Sequence, residues 1–264
     1  MARRRADVVL AERGFFASRE QARAAVLAGE VRVDGQPLHK AGAPIEETAE
    51  IEVVRRPRYV SRGGEKLASA LWAFDVEVSG KRAIDVGAST GGFTDCLLQA
   101  GARSVTALDV GYGQLAWSLR SDERVTVIER TNVRTADPQE LGAPYDVVVC
   151  DVSFVSLEKV LQALLGFLGA EGVLLALVKP QFEAGKGRVG KRGVIRDPAV
   201  HQEVLERVAT LMSEAGLVVR GLTWSPLKGP EGNIEFWVYA ARTGVAASET
   251  PAAVVAAAHD ALGG

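Results

Sequence analysis

Between residue 81 and about residue 242, short apolar runs alternate with segments whose apolar residues recur at helical spacing. The runs Ala83–Val86, Val105–Leu108, Val125–Ile128, Val147–Cys150 and Val173–Val178 carry almost no polar residue on either face. A strand apolar on both faces must be covered on both, which requires a parallel sheet sandwiched by helices. The intervening segments supply them. Phe93, Cys96, Leu97 and Ala100 fall at i, i+3, i+4 and i+7 and stop at Gly101. Asp197-Pro198 has the form of a cap and first residue for a helix carrying Val204, Leu205, Val208, Leu211 and Met212 up to Gly216. Val218–Trp224 and Ile234–Ala240 read as a closing antiparallel pair. Residues 243–264 are Ala-rich without an apolar stripe, a mobile tail or a short added helix.

Residues 1–54 read as a separate small unit. A short helix is expected over Asp7–Gly14, and Ser18-Arg-Glu-Gln21 has the form of a capping box opening a second helix that ends at Gly29. Val31-Arg-Val33 alternates like a strand, Asp34-Gly35 is a hairpin-turn signal, and Ile45–Val54 is expected to form one further strand. The basic, proline-containing residues 55–61 read as a linker to a domain over 62–242.

Formal net charge is −2, but the sum conceals an asymmetry. Residues 1–62 hold 12 Lys and Arg against 9 Asp and Glu, so the remainder carries the acidic excess. The two cysteines, Cys96 and Cys150, sit in apolar runs and suggest buried side chains rather than a disulfide framework. His39, His201 and His259 are scattered without ligand spacing, so no metal is expected. No apolar run approaches the ~20 residues of a membrane helix, and no signal-peptide core follows the basic start. The expectation is a cytoplasmic protein.

The turn after the first strand, Asp85-Val-Gly87-Ala-Ser89-Thr90-Gly91-Gly92-Phe93, opens a helix. Ligands of open parallel sheets bind beyond the carboxyl ends of the strands, and glycines allow the backbone to turn sharply and approach them. Asp109, ending the second strand, can accept from two ribose hydroxyls. A nicotinamide dinucleotide is the rival ligand, but its Gly-x-Gly-x-x-Gly fingerprint is broken by Ser89. An acidic residue two before the first glycine suits S-adenosylmethionine, which is cationic and has no pyrophosphate. Asn132-Val133, past the third strand, lies where an adenine pocket would sit, although a polar turn explains Asn132 nearly as well. The candidate cofactor residues are therefore Asp85, Gly87, Ser89, Thr90, Gly91, Gly92, Phe93, Asp109, Asn132, Val133 and Asp151.

Asp151 and Lys179 end the fourth and fifth strands and converge on the same crevice. Burial there would favour the basic form of a lysine, while a neighbouring carboxylate would oppose it and fix the ammonium in place. Gly63-Gly-Glu-Lys66-Leu67, Asp85 to Thr94, Asp151-Val-Ser-Phe154, Leu177-Val-Lys-Pro-Gln-Phe182 and Asn233-Ile-Glu235-Phe236 together resemble the TlyA family over residues 1 to about 242. The resemblance implies an α/β protein: a Rossmann-like class I, FtsJ-like methyltransferase domain joined to a small amino-terminal α+β S4-type RNA-binding domain. It implies S-adenosylmethionine-dependent 2′-O-methylation of cytidine in 16S or 23S ribosomal RNA, or both, with ribosomal subunits as partners. It places a catalytic tetrad on Lys66, Asp151, Lys179 and Glu235.

The 2′-hydroxyl target makes RNA the expected substrate, and four basic clusters could track its phosphates: Arg3, Arg4 and Arg5; Arg19 with Arg23; Arg55, Arg56, Arg58 and Arg62; and Lys186, Arg188, Lys191, Arg192 and Arg196. The last lies just past Lys179 with no acid between 184 and 196. Charge runs are as often simply solvated faces. Family members also carry the label hemolysin, but a membrane-active protein would need an inserting helix or an amphipathic hairpin that this sequence lacks. A small-molecule methyltransferase would leave the amino-terminal unit unexplained, and a catalytically silent RNA-binding protein would leave the tetrad unexplained.

Overall fold

The computed structural model describes residues 3–54, 57–185, 187–190 and 193–263. The chain divides into two compact units, 1–57 and 58–264.

The first unit runs β1 (Arg3–Arg5), α1 (Ala6–Glu12), α2 (Arg19–Leu27), β2 (Val31–Val33), β3 (Gln36–Pro37), β4 (Pro44–Glu46) and β5 (Ile51–Val53). Ser18 Oγ accepts from the Gln21 amide at 3.2 Å, and Gln21 Oε1 reaches back to the Ala17 amide, one residue earlier than a standard box. Asp34 and Gly35, at φ 50° and 75°, turn β2 into β3. The single strand expected over Ile45–Val54 is instead two. β4 pairs with β1 and β5 with β2 in separate sheets, because the chain turns at 47–50, where Ala49 N–H donates to the Glu46 carbonyl. Ala6, Leu10, Ala22, Val26, Val31 and Ile45 form the core.

The second unit opens with α3 (Gly63–Ala73) and builds a seven-stranded sheet from β6 (Arg82–Val86), β7 (Ser104–Leu108), β8 (Val125–Ile128), β9 (Tyr145–Cys150), β10 (Leu168–Val178), β11 (Val218–Trp224) and β12 (Phe236–Ala241). The order is β11-β12-β10-β9-β6-β7-β8. β8 to β10 run parallel through β6, while β12 is antiparallel to both β10 and β11. Period-two alternation separates two cores. Ile84, Val86, Val148, Cys150 and Leu174 face one side, while Ala83, Val147, Val149, Leu175 and Leu177 face the other.

Helices α4 (Gly92–Gln99), α5 (Trp117–Arg120), α6 (Leu161–Phe167), α7 (Pro180–Glu183), α8 (Pro198–Glu214) and α9 (Pro251–Leu262) complete the unit. Asp197 caps α8 by accepting from the Ala199 amide at 2.9 Å. The Ala-rich end does carry a stripe, contrary to the sequence expectation. Val254, Val255 and Ala258 of α9 are buried in the same core as α8, because three small or branched residues suffice where alanine lets the backbones approach.

Candidate active site

The order reverses between β6 and β9, and there the Asp151 amide donates to the Val86 carbonyl at 2.9 Å. This close approach dictates Gly87. At φ 90°, a Cβ on it would stand 2.5 Å from the Asp151 carbonyl oxygen. Ser89 occupies the left-handed region usually left to glycine, at φ 49°. Its amide is held there by Asp109 Oδ2 at 2.7 Å, while Asp109 Oδ1 accepts from Gly111 at 2.6 Å. Asp109 thus clamps two loops as well as ending β7, a role its position in the sequence did not disclose. Each oxygen retains a lone pair for a ligand hydroxyl.

Asp85 is fully buried. Its Oδ2 accepts from the Thr94 amide at 2.9 Å and hydroxyl at 2.7 Å, while Oδ1 has no hydrogen-bond partner among the described residues. Burial pushes this carboxyl up to about 7, against the opposing Thr94 bonds.

A cavity of about 500 Å³ opens beyond β6, β7 and β9, lined by Gly87, Ser89, Asp109, Asn132, Val133, Asp151, Ser153 and Phe154 among others. A second, of about 220 Å³, shares Gly87, Ser89 and Asp151 with it and adds Arg62, Lys66, Thr90, Gly92 and Phe93. Asp85 and Gly91 line neither: Asp85 is buried, and Gly91 packs against Leu115 and Leu119. Asn132 fits both of its readings, since it lines the first cavity while its Oδ1 accepts from the Arg134 amide in a turn.

The tetrad forms two ion pairs. Lys179 Nζ lies 2.5 Å from Asp151 Oδ1 and donates to Ser153 Oγ at 2.9 Å. Lys66, on the buried face of α3, donates to Glu235 Oε2 at 2.6 Å. Burial pushes the Glu235 carboxyl up while Lys66, and then Lys179, draw it down, so the two pairs share one electrostatic environment. Ser153 and Phe154 escaped the sequence reading. Phe154 is 91% exposed at φ 63°, with its ring 5.0 Å from that of Phe182. A bulky residue so exposed and so strained beside a cavity is a functional signal that only the backbone angles reveal.

Most of the basic candidates are already engaged. Arg3 lies 4.0 Å from Glu46, and Arg4 pairs with Glu12 and Glu47. Arg5 and Arg19 both pair with Asp7, whose carboxyl the Arg5 guanidinium holds down to about 2. Arg58 stacks over Tyr59, and Arg62 lines the second cavity. Arg188 pairs with Glu203 of α8, so the acid-free run from 184 to 196 acquires an acid through the fold. Arg23 and Arg196 are exposed. Arg55, Arg56, Lys186, Lys191 and Arg192 lie outside the described residues. His201 and His259, scattered in the sequence, meet at 2.9 Å between Nδ1 and Nε2. Among the described residues no three His, Cys, Asp or Glu side chains are grouped to hold a metal, and no helix is long and apolar enough to cross a membrane.

The strand order, with an antiparallel β12 between β10 and β11, is the Rossmann-like arrangement of class I methyltransferases, and the cavity lies at its switch point. A family model described as FtsJ-like methyltransferase matches residues 59–242, and one described as S4 domain matches residues 4–51. The 16S/23S rRNA (cytidine-2′-O)-methyltransferase TlyA of Mycobacterium tuberculosis is 48% identical over 242 residues, 90% of each chain. Hemolysin A of Brachyspira hyodysenteriae is 41% identical over 88% of this chain and 97% of its own. The solved structure of a hemolysin-named protein from Streptococcus thermophilus has a TM-score of 0.75 at 42% identity, covering 99% of this chain and 97% of that one. The chain belongs to the TlyA family of S4-bearing, FtsJ-like methyltransferases.

Proposed function

We propose that this protein methylates the 2′-hydroxyl of a cytidine in ribosomal RNA, acting in the cytoplasm with S-adenosylmethionine as donor. The observation that carries the reading is the position of Lys179, whose ammonium is held by Asp151 and Ser153 at the edge of the cavity built on Gly87. The residues present suit the donor. Gly87 leaves room that a Cβ would fill, Asp109 offers free lone pairs to ribose hydroxyls, and Asp85, with an unpartnered buried oxygen, favours a cationic ligand nearby. Asn132 and Val133 would border the adenine, and Thr90, Gly92 and Phe93 the amino-acid end.

Bound S-adenosylmethionine supplies a methyl group already activated on a sulfonium, leaving positioning and proton handling to the protein. Lys179 accommodates the proton leaving the ribose hydroxyl, and Asp151 with Ser153 keeps its Nζ in one place. Lys66 and Glu235 form a buried pair bordering the second cavity, where they orient the acceptor. In this reading residues 1–54 recognise RNA, residues 55–61 link, and residues 62–242 together with α9 carry out the transfer. The exposed Arg23 and Arg196 head the candidate phosphate contacts, and the ion-paired arginines would have to exchange partners.

Tritium transfer from labelled cofactor to ribosomal subunits stripped of native methylation, followed by nuclease mapping, tests the proposal. Label on a cytidine ribose supports it. Label confined to small molecules, or to a base, rejects it.

A further inference from the structure

Within the segment Asn233-Ile-Glu235-Phe236, only Glu235 has a role in the mechanism above. Asn233 is 1% exposed and its amide is fully used: Nδ2 donates to the Gly193 carbonyl and Oδ1 accepts from the Ile195 amide, both at 2.9 Å. Its own carbonyl accepts from the Gly229 amide at 2.9 Å. Gly229 in turn lies directly against the active site, since a Cβ there would stand 2.6 Å from Glu235 Oε1. One side chain thus ties the end of the basic, Gly-rich stretch 185–196 to the strand end bearing the Lys66–Glu235 pair.

That stretch has little to hold it by itself. Gly185, Gly187 and Gly193 adopt φ of 81°, 96° and 77°, and glycines lose more backbone freedom on ordering than any other residue. Arg196 is exposed one residue past the tie and one before the cap of α8. We propose that Asn233 is a positioning residue, which sets Arg196 and the backbone of 193–196 in register with Lys66 and Glu235 so that bound RNA presents its ribose to Lys179. The inference rests on the RNA-methylating reading. The chemistry is specific to asparagine. Aspartate has the same shape, but its second oxygen would face the Gly193 carbonyl, acceptor against acceptor, in a buried site.

The test uses the full chain with Asn233→Asp and Asn233→Ala, read by hydrogen exchange across residues 193–197, by kinetics on unmethylated ribosomal subunits, and by calorimetric titration of the cofactor. Ile195 amide protection should fall at least about ten-fold. KM for RNA should rise about ten-fold, as expected for two buried hydrogen bonds lost from a binding element. kcat and cofactor affinity should stay within about three-fold. Arg196→Gln should raise KM in the wild type and add little to Asn233→Asp, since coupled positions are not additive.

Unchanged KM, full additivity with Arg196→Gln, or cofactor affinity falling in step with the melting temperature would overturn the proposal. Retained Ile195 protection in Asn233→Asp would do so whether or not the wild type methylates RNA. A wild type that transfers no label to RNA, with Ile195 protection lost in the variants, would overturn the functional reading and leave the tie itself standing.

Discussion

Lys179 Nζ lies 2.5 Å from Asp151 Oδ1, joining the ends of adjacent parallel strands β10 and β9. Two residues that are only the first polar groups after apolar runs in the sequence become a fixed pair at the edge of a cavity. Parallel strands in register bring their carboxyl ends to one edge, so the pair follows from sheet topology and needs no special loop.

If Lys179 handles the proton, Lys179→Ala should lower methyl transfer by roughly 10²–10⁴-fold, the range of general acid–base catalysis. Cofactor affinity should stay within a few-fold. Single-turnover transfer and calorimetric titration separate the two, and equal loss of both would show that Lys179 serves binding.

Gly87→Ala should cost roughly 3 kcal/mol or more of stability, because a left-handed backbone and a fixed carbonyl oxygen cannot both yield. The control is Gly80→Ala, at φ 72° with no atom within 4 Å of the added Cβ, which should cost only about 1–2 kcal/mol. Urea titrations of the two variants decide it. Similar midpoints would mean that the loop around Gly87 deforms easily.

Asp85 makes stability depend on pH in an unusual direction. Its carboxyl rises from 3.8 to about 7 in the fold, chiefly through burial. The contribution is therefore fully present below 3.8 and is lost as pH climbs through about 7. Asp85→Asn should remove this decline, so the melting-temperature difference between variant and wild type should widen in the variant's favour from pH 4 to pH 7. The same titration should tighten wild-type binding of a cationic ligand as pH rises.

His201 acts in the opposite sense. Burial, then the neighbouring His259, hold it down to about 4 from 6.5. The fold is favoured above 6.5, and that advantage is lost as pH falls toward 4. Wild type should lose more melting temperature between pH 7 and pH 5 than His201→Gln. Parallel curves would place the acid sensitivity elsewhere.

Local rules made much of the architecture legible. Five buried strands, the Asp197 cap and the glycine loop announced themselves through period-two runs, capping chemistry and tolerance of positive φ, each set within a few residues. Lys66, Asp151, Lys179 and Glu235 could be proposed together because the motifs bearing them resemble one family. The split of Ile45–Val54 into two strands was not visible, since a turn over 47–50 competes with an extended run on nearly equal local terms. The α9 stripe was hidden because three modest side chains make a buried face only when a neighbouring surface is shaped to receive them.

The chain by itself thus determined the element types, the positions where only glycine or a left-handed residue serves, and the residues able to do the chemistry. The tertiary structure alone decided which of them meet. Lys66 pairs with Glu235 across 169 residues and His201 with His259 across 58, while Arg5 and Arg19 converge on Asp7. Side-chain type and short-range periodicity are properties of a segment, whereas an ion pair depends on which strand lies beside which and in what register. That information is spread over the whole core and becomes explicit only when it packs.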